Sequence, residues 1–416
     1  MKEISRAAEE RIVRSLKSFP VVYIAGPRQS GKTTLVQRIA NKSHKAAYLT
    51  FDDLQTRSAA QRDPEAFARS LKGPVVLDEI QMVPELFRAL KIIVDENRKA
   101  RNGGKGRFLL TGSANVMALP QLSEALVGRM ALHELLPFSA QEIQKGRTGN
   151  FVDRVFSQSW SFEKISADPL ADIFYQASFP ELSDLPDSSV RYEWCNGYLN
   201  TILQRDIRLL LEIEKIAALP DMLRLMATRT GGLLNEASLA KATELNHITT
   251  KKYRTLLQNL FLTISIPAWS LNLGKRLVKS PKIYISDMNL LAYLLNIGFE
   301  NISAIDHKLF GSLLENFVAI ELTKQLTFSE TRARLYHFRT ASGQEVDFIL
   351  EGPQNAVAAI EVKSTSRVTA NDFRHLEALR NELGKKFKQG LVFYQGKDVV
   401  PFGKDMWAIP VAMIWK

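Results

Sequence analysis

The sequence predicts an α/β chain of several domains: a parallel-sheet unit, then a helical module with a β-ribbon, then a second α/β unit. Three observations carry that prediction. A strand, a glycine-rich loop and a helix follow one another at residues 21–40. Three short amphipathic helices and two strands fill 221–285. A helix, three strands, a helix and a strand run from 311 to 394. The expected boundaries are 1–150 for the first unit, 151–215 for a helical linker or lid, 216–290 for the middle module and 300–416 for the last.

The apolar run Val21-Val22-Tyr23-Ile24-Ala25 is the pattern of a buried strand, and Leu35, Val36 and Ile39 share one face of the helix after it. Between them stands Gly26-Pro27-Arg28-Gln29-Ser30-Gly31-Lys32-Thr33, a complete G-x-x-x-x-G-K-[ST] phosphate loop. Backbone N–H groups of such a loop, together with the helix dipole, make an anion site. The expectation is that Gly26, Pro27, Arg28, Gln29, Ser30, Gly31, Lys32, Thr33 and Thr34 bind ATP. Lys32 is expected on the β- and γ-phosphates, and the Thr33 hydroxyl on Mg²⁺. Glycine at 26 and 31 permits backbone angles and close approach that a side chain blocks.

The run Val75-Val76-Leu77-Asp78-Glu79 is an apolar strand ending in two acids. Asp78 is expected to hold the Mg²⁺ shell, and Glu79 to orient and polarise the attacking water. Residues 46–51 read as another strand of the same sheet, and so do 107–111, which lead into Gly112-Ser113-Ala114-Asn115. Ser113 or Asn115 is placed to sense the γ-phosphate. Arg129, before a strand at 130–135, is expected to reach phosphate within one chain or across an oligomer interface. Arg205-Asp206 is a weaker candidate for such a trans contact.

An apolar fraction of 45% and a charged fraction of 24% are those of a globular chain with room for two or three cores. No apolar run approaches a bilayer span, and Met1 to Arg6 continue into a charged amphipathic helix, so a cytoplasmic protein without membrane partners is expected. The single cysteine, Cys195, excludes an intrachain disulfide and reads as a small core residue. The six histidines lack ligand spacing, which argues against zinc.

The net charge of +11 is uneven: residues 205–285 hold thirteen Lys and Arg against six Asp and Glu. Helices are predicted over 221–229 and 235–245, and a third from Thr249 or Thr250 to 259 with Tyr253, Leu256, Leu257 and Leu260 as its apolar stripe. Strands at 261–267 and 276–285, joined by a loop at 272–275, complete a winged helix. In that module the third helix enters the DNA major groove and the ribbon touches backbone. The predicted DNA contacts are Lys251, Lys252 and Arg254 on the helix, and Lys275 and Arg276 on the ribbon, with Thr249, Thr250, Lys279 and Lys282 beside them. Winged helices also dock proteins.

Toward the C-terminus, Glu345-Val346-Asp347-Phe348 enters a strand, and Ile360-Glu361-Val362-Lys363 ends the next. Alternation places Glu361 and Lys363 on one face, and a hairpin brings Asp347 alongside. Two carboxylates that hold Mg²⁺ and a lysine that positions water suit a metal-dependent nuclease. Glu315, on the helix that opens at 311, is a third acid. Such folds also persist as binding modules.

These residues together give the chain a resemblance. It resembles the bacterial and archaeal "ATP-binding protein" family, in which an AAA-type ATPase domain precedes a C-terminal domain known as DUF4143. The resemblance spans nearly the whole chain. It rests on Gly26 to Thr34, Leu77 to Gln81, Thr111-Gly112-Ser113, Leu126 to Arg129 with Pro137-Phe138, Pro281 to Tyr284 with Asp287, Glu315, and the 345–348 and 360–363 runs. One departure is Met288-Asn289, where the family has a small residue and glycine, which implies a less sharp turn. The resemblance implies ATP binding and hydrolysis. Two functions stay open: a nucleotide-driven enzyme on DNA, or a nucleotide-dependent signalling or scaffold switch with an inactive C-terminal domain. No pore-loop signature supports a processive translocase.

Overall fold

The computed structural model describes all residues except 1–3, 98–102, 114–125, 145–149, 158–159, 167–168, 186, 207–216, 273, 275, 277–278, 301–304 and 341. It divides into two compact units, Met1–Pro137 with Asn259–Phe261, and Phe138–Gln258 with Leu262–Lys416.

In the first unit the order is α1 (Glu9–Leu16), β1 (Val21–Ala25), α2 (Lys32–Lys42), β2 (Ala47–Thr50), α3 (Leu54–Arg62), α4 (Pro64–Ser70), β3 (Val75–Asp78), α5 (Leu86–Asn97), β4 (Phe108–Gly112) and β5 (Met130–Glu134). All strand pairs are parallel, in the order β2-β3-β4-β1-β5. Every residue of β1, β3 and β4 is buried, which explains why these strands read as unbroken apolar runs. The strand after β1 in sequence pairs elsewhere in the sheet, and β1 itself lies between β4 and β5. The chain order thus reverses at β1, and the carboxyl end of a strand at such a point is where an open α/β sheet forms its ligand crevice.

The second unit begins with α6 (Ala140–Ile143), α7 (Phe151–Ser157), α8 (Leu170–Gln176), α9 (Pro180–Ser183) and α10 (Ser188–Thr201). Next come α11 (Ala218–Thr228), α12 (Glu236–Ala242), α13 (His247–Asn259), and the antiparallel pair β6 (Thr263–Ile266) and β7 (Lys282–Ile285). The three-helix and ribbon order matches the sequence expectation, with different boundaries. Asn246 rather than Thr249 or Thr250 caps α13: its Oδ1 accepts from Thr249 N at 2.8 Å. The second strand starts at Lys282 instead of 276, because Arg276 turns inward to an acid before the ladder begins. Cys195 is buried, as a core residue. Among the described residues no helix is long and apolar enough to cross a membrane.

Asp287 caps α14 (Met288–Leu295), its carboxylate accepting from Asn289 N at 2.8 Å and Leu290 N at 3.2 Å. The softened turn expected at Met288-Asn289 is therefore a helix start. The unit then continues with α15 (His307–Phe328), β8 (Arg334–Arg339), β9 (Glu345–Glu351), β10 (Val357–Val362), α16 (Arg374–Leu383), β11 (Phe387–Tyr394), β12 (Val400–Pro401) and β13 (Met406–Pro410). Its sheet has the order β12-β13-β11-β10-β9-β8. The hairpin of β9 and β10 is antiparallel, and α16 is the crossover that lets β11 run parallel to β10. β12 and β13 lie beyond 391–394, the last strand the sequence pattern predicts. The second of these pairs parallel with β11, so its place depends on a neighbour rather than on its own pattern.

Candidate functional sites: a phosphate loop and an acidic cleft

The loop leaves β1 and becomes α2, with Gly31 as N-cap at φ 87, a left-handed angle that glycine adopts without strain. Gly26 answers a different constraint. A Cβ there would stand 2.2 Å from the Leu135 carbonyl oxygen, a backbone atom that has no rotamer to escape into. Lys32 is 4% exposed, and its ammonium donates to the carbonyls of Gly26 at 2.9 Å and Pro27 at 2.7 Å. Burial pushes its pKa down to about 8, against the raising effect of Glu79 and Asp78, while the Arg28 charge lowers it further. Among the described residues Ser30 Oγ is buried without a hydrogen-bond partner, an orphaned polar atom inside the loop. From outside, Arg6 fixes the loop by donating to the Ser30 carbonyl at 2.7 Å.

Asp78, at the end of β3, gathers three hydroxyls. Thr33 donates to its Oδ2 at 2.8 Å and Tyr48 to the same oxygen at 2.7 Å, while Thr111 donates to Oδ1. The expected partnership of Thr33 and Asp78 is thus built, across 45 residues of sequence. Tyr48 and Thr111 come from the strands on either side of β3, and no spacing rule points to them. Glu79 adopts a left-handed φ of 56, with its N–H bonded to Thr111 Oγ1 at 3.1 Å. Gln81 donates both to the Glu79 carboxylate and to Ser113 Oγ, the latter at 2.9 Å, so it ties the two predicted catalytic side chains together. Oxygen donors at Thr33 and Asp78 fit a hard cation such as Mg²⁺.

Arg129 is committed elsewhere. It makes a two-point pair with Asp95 of α5, at 2.7 and 3.0 Å. In this structure the guanidinium is engaged in that bidentate pair, the geometry it favours with carboxylate, and not with the phosphate loop. Asn115 and the Arg205 and Asp206 side chains lie outside the described residues.

The second unit holds the other predicted cluster. Glu315, Asp347, Glu361 and Lys363 line one cleft of about 470 Å³, the strand residues brought to one side by alternation and the β9–β10 register and Glu315 by α15. Asp347 Oδ2 accepts from Val362 N at 2.9 Å, so a side chain replaces the ladder partner where β9 and β10 part. Lys363 Nζ donates to Glu361 at 3.0 Å. Burial first, and the Asp347 charge second, raise the pKa of both Glu315 and Glu361.

Lys363 was expected to neutralise these acids, yet the larger share falls to Lys282 of β7. Its side chain is 3% exposed and its ammonium meets Glu345 at 2.8 Å, Glu315 at 2.9 Å and Asp347 at 3.5 Å. Burial alone would lower its pKa; the three carboxylates overcome that and raise it. Tyr284 of the same strand donates to Glu315 at 2.7 Å. Glu345 was legible in principle, since it precedes Asp347 by two residues and shares its face. Lys282 had been counted as a ribbon contact to DNA, and no local signal assigns it to the acids.

The other expected DNA contacts separate in the same way. Lys251 and Lys252 are exposed on α13. Arg254 instead pairs with Glu236 at 3.3 Å. Arg276 forms a two-point pair with Glu351, both bonds 2.7 Å, and lies over the rings of Trp269 and Tyr336. Its side chain is 11% exposed, so in this structure its charge is spent on Glu351 rather than presented to solvent. Lys275 lies outside the described residues.

Comparison with known proteins follows this division. Residues 18–144 match the family described as AAA domain, 168–301 the domain of unknown function DUF8612, and 310–414 the domain of unknown function DUF4143. The chain is 30% identical over 410 residues to an uncharacterized protein of Mycobacterium tuberculosis, covering 98% of this chain and 84% of that one. An uncharacterized protein of Methanocaldococcus jannaschii is 26% identical over 376 residues, covering 88% and 79%. Among solved structures, a Walker-type ATPase of Pyrococcus abyssi is similar at a TM-score of 0.42 and 15% identity, covering 70% of this chain and 96% of that one.

Proposed function

This chain belongs to the family that joins an AAA-type ATPase domain to a C-terminal DUF4143 domain, and from that premise we propose that it hydrolyses ATP with Mg²⁺ and acts on DNA. The hydrogen bond from Thr33 to Asp78 carries the first half, because it joins phosphate loop and acidic strand end into one constellation.

In this reading Lys32 exchanges the Gly26 and Pro27 carbonyls for the β- and γ-phosphate oxygens. The orphaned Ser30 hydroxyl gains a partner. Glu79 polarises the attacking water, and Gln81 holds it in register with Ser113 at the end of β4. Mg²⁺ held by Thr33 and Asp78 would neutralise charge on the phosphates. The exposed lysines of α13 bind DNA phosphate, with the three-helix and ribbon module as a winged helix. At the C-terminal cleft Glu315, Asp347 and Glu361 offer only oxygen donors, which fit Mg²⁺, and Lys363 positions water for phosphodiester cleavage. In an oligomer, Arg129 would have to leave Asp95 to reach phosphate in trans.

A second reading has its own observation. Lys282 already satisfies three of the carboxylates, as it would in a binding module that never cleaves. One experiment separates them: plasmid DNA with ATP and Mg²⁺ or Mn²⁺, for the native chain, Glu79→Gln and Asp347→Ala. Phosphate release is expected from the native chain and Asp347→Ala but not from Glu79→Gln. Nicking is expected from the native chain and not from Asp347→Ala. Equal release by Glu79→Gln ends the ATPase assignment, and intact plasmid throughout selects the binding module.

A further inference from the structure

Lys282 is the unexplained member of the C-terminal cleft. We propose that its ammonium and a divalent cation occupy the acid cluster in turn, so that metal loads only when the Lys282 ammonium has left it. The inference rests on the C-terminal metal reading above and adds its regulation.

The geometry makes the two cations exclusive. The ammonium stands 2.8–3.5 Å from oxygens of Glu345, Glu315 and Asp347, three of the carboxylates lining the cleft. Divalent cations such as Mg²⁺ and Ca²⁺ need oxygens at about 2.0–2.6 Å, so the cage is too wide for one as it stands. Among the described residues no three His, Cys, Asp or Glu donors are arranged to hold a metal as they stand. Bringing a second positive charge into the same cage without removing the first is opposed by like-charge repulsion. Glu361 is held by Lys363, which is a third exposed and does not have to leave.

The backbone at Lys282 is fixed on both sides. Residue 282 pairs with Ile266 of β6 and bridges to Leu233, and Gly231 N donates to the Ile283 carbonyl at 3.0 Å. The turn between α11 and α12 is thereby stitched to β7. It also packs on the acid: a Cβ at Gly231 would come 3.2 Å from the Glu315 carboxylate. β7 is in turn held to α15, the helix of Glu315, by Ile285 N and the Ile285 carbonyl on the Asn316 amide at 3.0 Å each, so the Lys282 side chain, rather than its strand, leaves the cluster.

Lysine-directed labelling of the nucleotide-free native chain, read by mass spectrometry with and without Mn²⁺, tests this directly. Lys282 is expected to be protected without metal and to label several-fold faster with it, while Lys251 and Lys252 stay unchanged. Calorimetric Mn²⁺ titration is the second measurement. Lys282→Met should bind Mn²⁺ about tenfold more tightly or better, and Asp347→Ala should remove that binding. Asp347-dependent Mn²⁺ binding with Lys282 still protected, or with equal affinity in Lys282→Met, overturns the exchange and leaves the metal site standing. Absence of Asp347-dependent binding in both the native chain and Lys282→Met overturns both, and makes the cluster a structural network.

Discussion

Burial keeps the His133 imidazole neutral. It lies on β5, meets Ser15 Oγ at 2.9 Å, and its pKa is pushed down to about 4, first by desolvation and then by the Arg11 charge. The unfolded chain, with an imidazole pKa of about 6.5, takes up a proton that the folded unit refuses. The contribution to stability is whole above that value and is lost as pH falls from about 6.5 toward 4, amounting to about 3 kcal/mol at the acid end. Thermal unfolding of the native chain and of His133→Gln at pH 7 and pH 4.5 checks the sign. The native chain should lose more melting temperature on acidification than the variant, and equal losses would place the acid-sensitive group elsewhere. The same scale shows how far a residue's role is readable in isolation. Lys32, Thr33 and Asp78 stand where their motifs put them, whereas Arg129 has a motif position and a different partner, Asp95, supplied by α5.

On α13 the hydrophobic stripe of Tyr253, Leu256 and Leu257 is buried, which is why the helix was legible from its period. Its polar side was less so. Lys251 and Lys252 face solvent, while Arg254 forms an ion pair within the module with Glu236. DNA binding through α13 should thus rest on the two lysines. Each phosphate contact contributes about −0.9 to the slope of log K against log salt, so Lys251→Ala with Lys252→Ala should flatten the slope by about 1.8. Arg254→Ala and Arg276→Ala should change thermal stability and leave the slope alone. A slope that responds to Arg276→Ala would show the Glu351 pair opening in solution. An unaltered slope for the double lysine variant would assign α13 to protein docking.

At the scale of the molecule, the described residues of the phosphate-loop site lie in the first unit, on β2, β3, β4, α2 and the loop after β1. A ligand that binds only the folded form stabilises what it binds, by about 2.7 kcal/mol at a hundredfold excess over its dissociation constant. Scanning calorimetry of Glu79→Gln with ATP and Mg²⁺, which prevents turnover, should raise the transition of the first unit. The transition of the second unit should stay in place. A matched rise of both would mean that the two unfold as one cooperative body.

The parts legible in the chain are those whose cause is local. A strand, a glycine loop and a helix start are specified by about twenty consecutive residues, and strand alternation with one short hairpin brings Asp347, Glu361 and Lys363 to one face. What only the tertiary structure decided is the pairing of charges. Lys282 with Glu315, Glu345 and Asp347, Arg276 with Glu351, and Tyr48 with Asp78 are separated by 30 to 75 residues. A sequence reports that a lysine is positive. Which carboxylate it meets depends on which surfaces the fold presses together, because burial makes an unpaired charge costly and selects whatever opposite charge lies within reach.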